Sequence, residues 1–290
     1  MKTPSRRALA AAAAAGLLAV ALTACATPQS SKHHGHDMSG HDTAGHDTAG
    51  HGQHATAAGT GLGAELNGYR LDGELAAPTA PAEYRFRITG PDGKVVTAFV
   101  PEQTKQLHFY AIRSDLTGFQ HLHPVLAPDG TWTAALTPLE PGDWRLYTSF
   151  TPDSGPGRGT ALVLSRAVTV PGAASPAALP PAATSTTVDG YEVAVQHSPR
   201  TGALKLTVTR GGQPVTDLEP YLESFGHLTA FHAGDQAFAH LHPEGGAATG
   251  HGGPDLAFHA ELPATGDWRL FVQFQTGGAL HTAALTLGTG

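Results

Sequence analysis

From residue 61 onward the apolar residues fall in short runs rich in Val, Leu, Phe, Tyr and Thr, each ended by Gly, Pro or Asp. Runs of that length and make-up are β-strands separated by turns. The runs come twice, in one order. Residues 84–89 correspond to 204–210, 106–113 to 225–232, 119–124 to 238–243, 131–137 to 256–262, 144–150 to 268–274, and 160–170 to 280–287. Turn signals correspond as well, Pro-Asp-Gly-Lys at 91–94 and Gly-Gly-Gln-Pro at 211–214. About seven short strands per copy, and no helix, predict an all-β chain of two tandem antiparallel β-sandwich modules, immunoglobulin-like or cupredoxin-like. The modules are assigned to residues 61–171 and 187–290, each long enough for one core. Residues 172–186, rich in Pro and Ala, form a semi-extended linker.

Before residue 61 the pattern stops. Residues 25–60 hold Gly, Ala, Ser, Thr, His and Asp and almost no large apolar side chain. Such a segment cannot bury enough surface to offset chain entropy, so a disordered, His-rich tail is expected. Residues 1–24 read as a signal peptide: Lys2, Arg6 and Arg7 precede an apolar stretch at 8–21 that is too short to span a bilayer comfortably. The stretch ends in Leu22-Thr23-Ala24-Cys25, which resembles a bacterial lipobox. That resemblance implies cleavage before Cys25, lipidation of Cys25, and anchoring on the extracytoplasmic face of the cell membrane. Ser5-Arg6-Arg7-Ala8-Leu9 also resembles a twin-arginine export signal, so the export route stays open.

Cys25 is the only cysteine, which leaves the mature fold without a disulfide, a thiolate ligand or a cysteine nucleophile. A blue-copper site, which needs a thiolate, is excluded. Three of the 17 basic residues lie in the leader, and the remaining 14 face 24 acidic ones. That balance excludes a basic nucleic-acid footprint and is compatible with cation binding.

Candidate chemistry sits in the histidines. His-Leu-His-Pro occurs at 121–124 and again at 240–243, with a further His thirteen residues before each, and Gly-Asp-Trp-Arg-Leu follows at 142–146 and 266–270. Trp144 and Trp268 read as core anchors, and Asp143 and Asp267 as turn residues. Residues 114–118 and 232–236 read as hairpin turns. Centring the second turn between Gly234 and Asp235 sets His227 opposite His242, and the matching register sets His108 opposite His123. Opposed residues on one sheet face have Cβ atoms about 4.5–5.5 Å apart, and the first His of each His-Leu-His lies two residues along on that same face. Two triads are therefore expected: His108, His121 and His123, and His227, His240 and His242. Three neutral imidazoles suit Cu2+ or Zn2+ and leave a position open. A loop at 244–254, present only in the second module, offers Glu244 or His251 as a fourth ligand and makes that module the stronger candidate.

The tail is a second metal feature. His36, His41, His46 and His51 recur every five residues, Asp follows the first three, and His33, His34 and His54 extend the cluster. Mobile imidazoles and carboxylates chelate Cu2+, Zn2+ or Ni2+ with low geometric selectivity. Met38 is the only methionine beyond the initiator, so a methionine-rich cuprous site is excluded.

Other classes compete. A cupin also carries His-x-His on a strand, but the expected Glu beyond the second His is absent and the second cupin motif is not recognisable. A three-His site can activate water for catalysis, yet no general base recurs in both copies. A surface interaction module is the third class. The pattern Gly226-His227-Leu228, then His240-Leu241-His242-Pro243-Glu244-Gly245, Gly266-Asp267-Trp268-Arg269-Leu270-Phe271 and His281-Thr282-Ala283 resembles a family of poorly characterised secreted or lipid-anchored actinobacterial heavy-metal-binding proteins. It covers about the last hundred residues, and residues 84–170 more loosely; the first module departs from it, with Gln106-Leu107-His108 and no counterpart of Glu244. The expectation is a non-enzymatic, lipid-anchored, extracytoplasmic buffer for Cu2+ or Zn2+. Its tail captures the ion, the triads retain it, and a transporter in the membrane receives it. Binding by imidazoles should weaken below about pH 6.

Overall fold

The structure, a computed structural model, describes residues 59–76, 82–241, 243–260, 262 and 264–289. The leader, Cys25, His36, His41, His46 and His51 lie outside the described residues, as do His242 and the side chain of His240. Among the described residues all regular structure is β. The first module contains β1 (Glu65–Leu66), β2 (Tyr69–Ala76), β3 (Ala82–Thr89), β4 (Phe99–Val100), β5 (Leu107–Arg113), β6 (Gln120–Leu122), β7 (Val125–Leu126), β8 (Trp132–Leu136), β9 (Gly142–Pro152) and β10 (Leu162–Val170). The second contains β11 (Ser185–Val188), β12 (Tyr191–Ser198), β13 (Ala203–Arg210), β14 (Gln213–Pro214), β15 (His227–His232), β16 (Phe238–Leu241), β17 (Asp255–His259), β18 (Gly266–Thr276) and β19 (Ala279–Thr289).

Each module is a pair of antiparallel sheets. In the first, the order β1-β2-β3-β8-β7 packs against β10-β9-β5-β6, with β4 added at β9. In the second, β11-β12-β13-β14, with β17 on β13, packs against β16-β15-β18-β19. Alternation along the strands builds the cores. Tyr84, Phe86 and Ile88 of β3 point inward with Phe109, Trp132 and Phe150, and Leu204, Leu206 and Val208 of β13 do so with Leu228, Trp268 and Phe274. Trp144 and Trp268 are buried, and their indole N–H groups donate to Glu140 O and Ala264 O at 2.8 and 3.0 Å. The preceding glycines take positive φ, 133° at Gly142 and 125° at Gly266, a backbone conformation that accounts for the repeated Gly-Asp-Trp.

A third apolar cluster lies between the modules. Tyr110, Ile112, Tyr147 and Val163 of the first meet Phe231, Phe238 and Phe271 of the second. Strand β5 is consequently buried at every position, because its odd-numbered residues before Arg113 face the first core and its even-numbered ones face the other module. Strand β15 is buried likewise from His227 to Phe231. Phe119 stacks on Phe271 with centroids 4.1 Å apart, the Tyr147 hydroxyl donates to Gln236 O, and Gln236 Nε2 donates to Arg113 O at 3.3 Å.

Candidate metal centre

The hairpins have the register expected from their turns. In β5 and β6, Phe109 opposes Leu122 and Tyr110 opposes His121. In β15 and β16, Leu228 opposes Leu241 and Thr229 opposes His240. His108, Tyr110 and His121 thus share one face of the first module, and His227 and Thr229 share the equivalent face of the second. Those two faces turn toward each other, not toward water and not into either sandwich core.

The ligand nitrogens of His108, His121 and His227 all lie within 4.8 Å of one another, so this group draws on both modules. His121 and His227 stack with centroids 4.6 Å apart, and His108 and His227 at 5.7 Å. Among the described residues the first module supplies two of these three nitrogens and the second supplies one. His123 is a neighbour, its ring 5.1 Å from His108 and 4.8 Å from His121. Its Nε2 is buried and meets no hydrogen-bond partner among the described residues. Glu244 and His251 are exposed and stand outside the group. His232 pairs with Asp235 and His281 with Asp189, each at 2.8 Å, so both are occupied elsewhere.

Hydrogen bonds fix which nitrogens face inward. His108 Nε2 lies 3.0 Å from the backbone carbonyl of Glu102, and His121 Nδ1 lies 2.7 Å from Gln273 Oε1. Both partners are acceptors, so both ring nitrogens must donate. Gln273 Nε2 faces Thr282 Oγ1 at 3.4 Å. Burial holds the rings neutral: it pulls His108 down to about 4 against the raising effect of the Glu102 bond, and with the neighbouring His108 and His123 it takes His121 well below the ordinary imidazole range. His123 is lowered to about 3, again chiefly by burial. A neutral imidazole has one N–H. With that N–H spent outward on each ring, His108 Nδ1 and His121 Nε2 present lone pairs to each other at 3.1 Å. Two acceptors at that distance repel unless a cation lies between them. The spacing is close to the roughly 3.3 Å between two nitrogens of a tetrahedral zinc site with about 2.05 Å bonds. An outward N–H held by a carbonyl is also the usual arrangement of metal-ligating histidines.

Sequence reasoning did not find Gln273, Tyr110 or Glu102. Tyr110 stacks on His121 at 4.5 Å, and its hydroxyl lies 3.3 Å from His227 Nε2. Its own ionisation is pushed up by burial. The available signal was the run Leu107–Ile112 as a whole: it is large and apolar on both parities apart from His108, which marks a strand covered on both faces.

Residues 186–290, the second module alone, match a family described as a domain of unknown function (DUF8832). No curated protein matches the chain. Similar solved structures include a copper-bound variant of FetP from uropathogenic Escherichia coli strain F11, 15% identical, with a TM-score of 0.25 over 40% of this chain and 94% of that one. A tetra-tandem repeat from the extending region of a large adhesion protein is 14% identical, with a TM-score of 0.26 over 76% of this chain and 48% of that one. Red sea bream transglutaminase is 14% identical, with a TM-score of 0.22 over 77% of this chain and 31% of that one. At such overlaps these likenesses carry no argument about the site.

Proposed function

We propose that the protein is a non-enzymatic binder and buffer of a transition metal, copper or zinc, held at one site shared by its two modules. The observation that carries this reading is the approach of His108 Nδ1 to His121 Nε2, 3.1 Å apart, with the other nitrogen of each ring set against a carbonyl oxygen. His227 completes the donor set from the other module. The lipobox-like Cys25 supports an anchor on the extracytoplasmic face of the membrane, and the His-Asp pairs of the tail support a capture step before retention, with a membrane transporter as recipient. Competition titration of the full chain against a chelator of matched strength tests the reading. The wild type should show one tight site that His121→Ala removes, leaving only weaker binding by the tail. Equal tight binding by both proteins would refute it.

A further inference from the structure

The donors of the shared site are all neutral. His108, His121 and His227 bring no carboxylate and no thiolate; Glu102 presents its backbone carbonyl to His108, and burial pushes its carboxyl up to about 7, toward the neutral form. A bound ion therefore keeps its whole formal charge. It does so largely away from water, since His108 is 1% and His227 0% exposed and His121 is half-buried. Tyr110 stacks over His121 at 4.5 Å, and Phe238 lies against Tyr110 at 5.0 Å. The cost of transferring an ion out of water grows with the square of its charge, so a dication is penalised about four times as heavily as a monocation.

A divalent ion can shed charge by taking hydroxide as a further ligand, but that needs a water-sized space beside the imidazoles and release of a proton. A cuprous ion needs neither, being monovalent and content with few ligands. We propose, resting on the metal-binding reading above, that the inter-module site selects Cu+ over Zn2+ and Cu2+. The tail is a different population: its His-Asp pairs bring carboxylates, which suit the divalent ions.

The test uses the full chain and its His121→Gln/His227→Gln variant, each titrated without oxygen against a chromophoric Cu+ chelator, then separately with Zn2+ and with Cu2+. The paired substitution should weaken one Cu+ site by about 100-fold or more and leave the Zn2+ and Cu2+ curves within about threefold. Loss of an equally tight Zn2+ or Cu2+ site overturns the selectivity. If no ion's curve changes, the metal site itself is refuted, and the selectivity with it. A second measurement needs no variant: X-ray absorption of the wild-type chain loaded without oxygen with one equivalent of Cu+ and then exposed to air. A cuprous edge with nitrogen neighbours alone, persisting in air, is expected; a cupric edge with oxygen neighbours overturns the proposal.

Discussion

Two carbonyl oxygens decide what His108 and His121 are able to do. Glu102 O and Gln273 Oε1 each take one N–H, which turns the remaining nitrogens toward the centre. Replacing Gln273 by Leu removes the acceptor for His121 and frees its ring to place an N–H on the inner nitrogen. We expect metal affinity to fall by about 10- to 100-fold with the fold intact, read by chelator competition and circular dichroism. The partners His108, His121 and His123 were legible in the sequence because a hairpin's register follows from its turn. Gln273 was not, because no turn connects β18 to β6. That contact exists only once two modules have docked, and nothing in either run of residues encodes it locally.

At the scale of elements, the turn after β5 is pinned by a buried ion pair. Arg113 donates to Asp115 at 2.7 Å, with side chains 9% and 6% exposed, and Asp115 also accepts from Ala177 N in the segment between the modules at 2.8 Å. Burial pushes the Asp115 carboxyl up, but Arg113, Thr117 and Ala177 more than offset it and hold it well below the usual carboxylate range. Its folded pKa is thus lower than its unfolded one. The stabilisation is fully present above the unfolded value of about 4 and is lost as pH falls toward the folded value. Urea midpoints of the wild type should accordingly drop on acidification through about pH 4, and Asp115→Asn should lose about 3 kcal/mol at neutral pH while flattening that drop. An unchanged acid profile in the variant would remove the pair from the account. Strands with clean runs, such as β3, β13 and β18, were readable in advance. Strand β2 was not, because Asp72, Gly73 and Glu74 interrupt it.

For the whole molecule, a site shared by two modules makes docking and binding one equilibrium. Phe271→Ala removes the ring stacked on Phe119, and should cost about 3 kcal/mol and weaken metal binding although the ring is no ligand. Urea unfolding and chelator competition on that variant check both effects. Metal at about a hundred times its Kd should in turn add roughly 2.7 kcal/mol to the wild type. Cys25→Ala should move the chain from the membrane fraction to the soluble one, as fractionation of expressing cells would report. The fold class was legible from the repeated runs, and the histidines from their repeated spacing. Whether the two modules share one group was not legible, because no hairpin register relates one module to the other. The most direct test is the number of chelator-resistant metal ions per full chain by native mass spectrometry. One ion is predicted for the wild type, and none for either His121→Ala, in the first module, or His227→Ala, in the second. Two ions in the wild type, each substitution removing only one, would contradict a shared site.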